Sequence, residues 1–394
     1  MKDFKNKNIL FITHTYSSFE KAQVDYLSNF FNEVYVIVRY KPIAELSRIF
    51  PLTGAKNHTY AVSFNLKNKP DNVKVFCMAL WYLPFDVFYK QLGEYAFKEA
   101  DRIIKKYDLK FDLIFSFFFW TSGYVGNKIK EKYNIPHVTS GRGGDVYDHP
   151  FRSEFWKNKT LDVVNNADIV TTVSKENASC LKILGFNKEV VIIPNGFFSS
   201  KSFPLKMKDV RSQLSLPIDK KIILTVGYLG EIKGQKYLID AMAKVKEKYP
   251  DVLCLIIGEG ELKKKLETQI KTLGLQENVN LLGYKKNEEI NEWINATDIF
   301  VLASLGEGYP NVMNECLACG KPFIGSRVGA IPDIISDDNI GYLCEPKNSE
   351  DLAEKIVSAL PKKWDAEYII NFAQKLNYDY VAKQYLEIFE KLIV

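Results

Sequence analysis

Residues 304–332 read SLGEGYPNVMNECLACGKPFIGSRVGAIP. The apolar run just before them, Ile299–Leu302, has the length and composition of a buried strand. Gly306, Glu307 and Gly308 break that pattern. Pro310 then suits the first position of a helix, where its missing N–H would have no partner anyway. The helix carries Val312, Met313, Cys316 and Leu317 inward and runs out at Gly320-Lys321-Pro322. A glycine-flanked loop opening onto a helix N-terminus offers free backbone N–H groups and the positive end of a dipole. Both suit a phosphate-bearing ligand. Glu307 in the loop and Glu315 in the helix bracket the turn, so sugar hydroxyls could be held by side chains while phosphates are held by backbone.

Outward from this stretch, short apolar runs alternate with helical patterns, the signature of parallel sheets with covering helices. In the second half, strands are expected over 221–226, 252–257 and 279–282, with helices over 235–248, 261–273 and 288–295. In the first half, strands are expected over 8–13, 34–38, 113–117, 137–140, 169–172 and 190–193. Helices are expected there over 19–31 and 80–104, and periodicity fades over 41–72. Pro194-Asn195-Gly196 is a turn signal, and the mixed polarity of 197–218 marks a boundary between two halves. The fold class is α/β, and two such halves in series would place their strand ends at a shared cleft.

The chain has 394 residues and 46% apolar content, enough for more than one core. No stretch has the ~18 uninterrupted apolar residues of a membrane span. The apolar run near the N-terminus, 9–12, is too short for a secretory signal, so a cytoplasmic location is expected. Residues 1–200 contain 27 Lys+Arg against 20 Asp+Glu, net +7, whereas 201–394 contain 26 against 28, net −2. A basic first half fits an anionic partner. Without an aromatic-basic recognition motif, an anionic membrane face or a phosphate-bearing acceptor ranks above nucleic acid. Cys316-x-x-Cys319 lacks a second metal pair and all four histidines lie far off in sequence, so it reads as two packed cysteines.

Glu307-x7-Glu315, followed by Ala318-Cys319-Gly320-Lys321-Pro322 and Gly329-Ala330-Ile331-Pro332, resembles the donor loop of the family 4 retaining glycosyltransferases. Val226-Gly227-Tyr228-Leu229 with Lys233-Gly234 resembles that family's glycine-lysine motif, and Ile193-Pro194-Asn195-Gly196 its interdomain linker. The likeness runs over about 165–390 and is weaker before that. It implies a GT-B fold, two Rossmann-like domains facing across a cleft, with a C-terminal helix crossing back onto the first. The implied domains are 1–200 on the acceptor side, 201–375 for the nucleotide-sugar donor, and the returning helix within 376–394. In the family the first Glu contacts the transferred sugar, the second binds ribose, and backbone amides between them face the diphosphate. That makes Gly227, Tyr228, Lys233, Gly258, Glu307, Gly308, Tyr309, Pro310, Asn311 and Glu315 the donor-binding set.

Lys233 is placed to neutralise a leaving diphosphate. The family commonly has an arginine where this chain has Tyr228, and Arg327 could substitute only if its loop folds inward. Ser140-Gly141-Arg142-Gly143-Gly144-Asp145 resembles the family's His-Gly-x-Asp segment, with Arg142 in the histidine's place. Arg142 and Asp145 are expected to face the reacting centre, with His14 and Gly143 on the acceptor side. Catalytic candidates are thus Glu307, Lys233, Arg142 and Asp145; no metal site and no cofactor are expected. The implied reaction moves a sugar from a UDP- or GDP-linked donor to a glycan or lipid-linked acceptor in surface-polysaccharide synthesis. A nucleotide-sugar epimerase of the same fold, or a non-catalytic sugar-nucleotide-binding protein, are the alternatives. The aromatic stretch over 78–89, with Lys67, Lys69, Lys74 and Lys90, is read either as a reversible contact with the inner membrane face or as core covering the first sheet.

Overall fold

The first sheet takes its order from runs such as Leu113–Phe117, where five consecutive residues are buried. Residues covered on both faces of a sheet lose the in-out alternation of a half-exposed strand. The computed structural model describes residues 4–48, 59–82 and 86–393. Its contacts divide the chain into two units, Met1–Pro194 with Val381–Val394, and Asn195–Tyr380. The first unit holds seven strands: β1 Phe4–Thr13, β2 Phe31–Tyr40, β3 Val73–Ala79, β4 Leu113–Phe117, β5 His137–Gly141, β6 Ile169–Thr172 and β7 Val190–Ile192. Their order is β3-β2-β1-β4-β5-β6-β7, every pair parallel. The order reverses between β1 and β4, so the loops after those strands border the crevice where such sheets bind ligands.

The second unit repeats the plan with β8 Ile222–Val226, β9 Leu253–Ile257, β10 Val279–Gly283, β11 Ile299–Leu302, β12 Phe323–Ser326 and β13 Gly341–Cys344. The order β10-β9-β8-β11-β12-β13 reverses between β8 and β11. Both units are therefore Rossmann-like α/β sheets. Ile223, Ile256, Val301 and Ile324 from the sheet pack with Ile239, Met242 and Val245 of helix Gln235–Lys248 in the second core. In the first unit the C-terminal helix Tyr378–Glu390 sends Val381, Tyr385 and Phe389 into the core of β1, β2 and β4. Its Phe389 ring lies 5.9 Å from Phe115 and 6.1 Å from Phe31.

Three expectations need correction. β3 occupies the gap between the aperiodic stretch 41–72 and the helix expected over 80–104, where no strand was expected, and the helix itself is Asp86–Lys106. β3 pairs only with β2, and as an edge strand it leaves Lys74 and Cys77 exposed, which hides its pattern. The first helix stops at Leu27, a 3-10 turn covers Ser28–Phe30, and Phe31 already opens β2. Pro310 sits one residue before helix Asn311–Ala318, capping it in an extended conformation rather than lying inside it.

Candidate functional site

In the second unit the loops after β8 and β11 meet at the point where strand order reverses. β8 ends at Val226, and the chain turns through Gly227 into the short turn Glu231–Lys233 and then Gly234. Gly234 has φ of 62°, and a Cβ there would stand 2.0 Å from the Ala303 carbonyl oxygen, so only glycine lets this loop lie against the end of β11. The Leu305 N–H donates to the Ile232 carbonyl at 2.7 Å, which joins the two loops directly. Lys233 Nζ thereby reaches Glu307 Oε1 at 2.6 Å. The Ser304 hydroxyl donates to the same oxygen, also at 2.6 Å. Glu307 is 8% exposed as a side chain and Lys233 26%, so the carboxylate is sheltered and the ammonium borders solvent.

The remainder of this loop is braced from behind. Gly329, with φ of 59°, brings its backbone so close that a Cβ would stand 2.2 Å from the Glu307 carbonyl oxygen. The Ala330 N–H donates to the Gly308 carbonyl at 3.1 Å. Tyr309 is buried, and its hydroxyl donates to Asn314 Oδ1 at 2.8 Å; burial pushes its phenol well above the usual tyrosine range. Asn314 Nδ2 in turn donates to the Asn195 carbonyl at 2.8 Å, and Asn195 Nδ2 donates to Asn311 Oδ1 at 2.9 Å. Glu315 is half-buried, and desolvation raises its carboxyl against the opposing charge of Lys201. Gly227 and Gly258 pack together at the ends of β8 and β9, where a Cβ on Gly258 would stand 1.9 Å from the Gly227 carbonyl oxygen.

Where the family commonly has an arginine, Tyr228 is 54% exposed, its hydroxyl bonded to the Glu261 carboxylate. Arg327, the alternative cation, pairs its guanidinium with Glu345 at 3.0 Å. Cys316 and Cys319 are buried thiols directed at oxygen acceptors, and no group of metal-ligating side chains occurs among the described residues.

In the first unit, His14 lies after β1 with its ring stacked on Phe118, 4.7 Å between centroids. Its Nε2 accepts the Thr121 N–H at 3.3 Å. Two expectations change here. Arg142 is 6% exposed and does not present an open cation. Its guanidinium donates to Gln23 Oε1 at 2.7 Å and to the Tyr385 hydroxyl at 3.1 Å, and it lies over the rings of Phe19 and Phe117. It braces the first helix and the C-terminal helix on the sheet. Asp145 also turns inward. Its carboxylate accepts the backbone N–H groups of Phe119 at 3.1 Å, Arg142 at 3.1 Å and Gly143 at 2.8 Å. Burial raises its carboxyl while those donors pull it down. The pair shapes the loop after β5 through backbone bonds.

Ser304 and the Asn195–Asn314 brace were not among the sequence-derived candidates. Ser304 opens the quoted stretch, but a serine three residues before a glutamate carries no distinctive signal. A family model described as "Glycosyl transferases group 1" matches residues 206–376, and one described as "Glycosyltransferase Family 4" matches residues 52–198. The second match extends the likeness well before residue 165. An amylovoran biosynthesis glycosyltransferase of Erwinia amylovora is 27% identical over 292 residues, 71% of this chain and 70% of its own length. The sucrose-phosphate synthase structure from Thermosynechococcus elongatus superposes with a TM-score of 0.77 at 21% identity, covering 98% of this chain and 99% of its own. Anabaena HepE in complex with UDP-glucose superposes at 0.74 with 20% identity, covering 98% and 100%. At these identities the two structures speak for the fold alone.

Proposed function

The chain belongs to the family 4 glycosyltransferases, with their GT-B type of fold, and from that premise we propose that it transfers a sugar from a UDP- or GDP-linked donor to a glycan or lipid-linked acceptor, with retention and without a metal ion. The observation that carries this is the Lys233–Glu307 contact at 2.6 Å, formed by loops adjacent at the strand-order reversal of the second unit. A cation there meets the charge that develops on the leaving diphosphate, and the carboxylate beside it meets the sugar. As the glycosidic bond breaks, the anomeric carbon gains oxocarbenium character. The acceptor hydroxyl enters on the face the diphosphate leaves, and the departing phosphate oxygen takes its proton. No enzyme nucleophile is needed, in keeping with buried, hydrogen-bonded Cys316 and Cys319. A solved protein of the same fold holds UDP-glucose, which supports a nucleotide-sugar donor, and a relative named for amylovoran biosynthesis supports a polysaccharide setting.

A thermal-shift panel of UDP-glucose, UDP-galactose, UDP-N-acetylglucosamine and GDP-mannose tests the donor. Binding to the folded state raises the midpoint for the right nucleotide. Incubation with that donor then separates transfer or slow hydrolysis from an epimerised donor and from binding alone; either of the last two outcomes would overturn the transferase reading. We also propose a peripheral location on the cytoplasmic face of the membrane, motivated by the net +7 of residues 1–200 and by Trp81, 68% exposed, and Val87, 63% exposed. Among the described residues no helix is long and apolar enough to cross a membrane.

A further inference from the structure

Glu307 Oε1 receives two hydrogen bonds from unlike donors. Lys233 Nζ at 2.6 Å comes from a side chain 26% exposed, at the edge of the β8 loop. The Ser304 hydroxyl at 2.6 Å comes from a residue with no exposed surface, one residue beyond the Ala303 that follows β11. Among the described residues none donates a hydrogen bond to Oε2, the oxygen left for a sugar hydroxyl. The Ser304 end of the loop is held by the Leu305 N–H on the Ile232 carbonyl at 2.7 Å, and the Glu307 backbone by the close approach of Gly329. The lysine is the donor that borders solvent and the serine the buried one.

A diphosphate would compete with Glu307 for the ammonium, because it brings more negative charge to the mouth of the loop. Once Lys233 turns to it, a carboxylate only 8% exposed would lose its charged partner. A carboxylate so sheltered is costly to leave unpaired and free to swing. We infer that Ser304 is the positioning residue that keeps the Glu307 carboxylate aimed at the donor sugar while Lys233 is engaged by the diphosphate. This rests on the donor-loop reading of Glu307. It adds a residue that touches neither sugar nor phosphate and acts through the carboxylate it holds.

The test uses the full chain and the donor sugar selected by the thermal-shift panel, following its hydrolysis. Ser304→Ala removes the hydroxyl, Ser304→Cys keeps a side chain with only a weak donor, and Ser304→Thr keeps the hydroxyl. Expected is a fall in kcat of about 10- to 100-fold in the Ala and Cys variants, the scale for losing a hydrogen bond to a charged group. KM for the donor, and calorimetric binding of UDP or GDP alone, should stay within about twofold, since neither binding contact is removed. Ser304→Thr should restore kcat. Unchanged kcat in folded Ala and Cys variants, with Glu307→Ala impaired, would overturn the role of Ser304 and leave the donor-loop reading standing. Parallel losses of kcat, diphosphate binding and melting midpoint, not rescued by Thr, would mean mere structural support and would also overturn it. Full turnover in Glu307→Ala would sink the donor-loop reading, and this inference with it. If the Ala variant does not fold, Cys against Thr carries the same contrast.

Discussion

Two buried carboxylates, one in each unit, have opposite expected consequences. Glu307 is held by Lys233 and Ser304 at the end of β11. Replacing it with Ala should lower donor turnover at least ~100-fold, the scale for a charged contact made mainly in the transition state. The melting midpoint should change little, because Lys233 already borders water. Turnover near that of the parent protein would refute its place at the sugar. Glu20, in the first helix, is 5% exposed, and burial pushes its carboxyl up to about 7 from 4.5, against its own backbone N–H, the Thr15 hydroxyl and the Arg142 charge. A carboxyl raised in the folded state binds its proton more tightly there than in the unfolded chain. Its contribution to stability is therefore fully present below pH ~4.5 and is lost as the pH rises through ~7. Glu20→Gln removes this titration. Relative to the parent it should gain on the order of 1–3 kcal/mol between pH 5 and pH 8. Denaturant unfolding of both proteins at the two pH values checks this, and a difference independent of pH would refute it.

Lys233 belongs to an element, the turn Glu231–Lys233 closed by Gly234, and its prediction belongs there too. Lys233→Ala should weaken binding of a nucleoside diphosphate more than that of the monophosphate, since in the proposed reading the lost cation meets the distal phosphate. Calorimetry on both ligands decides it, and equal losses would exclude that contact. The same element shows what was legible. The ends of helix Gln235–Lys248 were readable because glycine precedes it and Tyr249-Pro250 follows. β11 was readable because four apolar residues end where glycines begin, and the burial of all four explains their unbroken pattern. β3 was not, because an edge strand with exposed Lys74 and Cys77 looks like loop. The turn after β5 was recognisable from its glycines, yet the direction of Arg142 was hidden. Its partners Gln23 and Tyr385 lie 119 and 243 residues away in sequence. Ser304 was hidden for a related reason: its role exists only through the carboxylate beside it.

At the scale of the whole molecule the unequal charge of the two halves, +7 over 1–200 and −2 over 201–394, makes the first unit the side expected to meet an anionic surface. Trp81, Val87 and Phe151 are exposed at 68%, 63% and 47%. Contacts tie their segments together: Tyr89 lies 5.7 Å from His149, Lys90 Nζ 5.1 Å from the Phe155 ring, and Lys41 Nζ 4.7 Å from the Tyr82 ring. Of the lysines grouped with this stretch Lys90 stays beside it, whereas Lys69 and Lys74 are placed elsewhere. Lys74 pairs with Glu33 at 2.5 Å and Lys69 bonds the Pro70 carbonyl at 3.0 Å, at the start of β3. Seven residue steps, most of them along β3, set Lys74 on the order of 20 Å from Trp81. Lys41 and Lys90 are the nearer basic groups, while Leu83, Pro84 and Phe85 lie outside the described residues. Trp and Tyr favour the headgroup boundary, where ring and polar tip are both satisfied. Each nearby lysine would add roughly 1 kcal/mol at most, so attachment should be reversible and should fall steeply with salt. Co-sedimentation with phosphatidylserine-containing vesicles should exceed that with neutral ones at low salt. The folded variant carrying both Trp81→Ser and Val87→Ser should lose most of the bound fraction. Replacing Lys74, at the other end of the strand, should matter less than replacing Lys90. No preference for anionic vesicles, or full binding by the double variant, would show that these side chains serve the first unit's own packing and not a membrane contact.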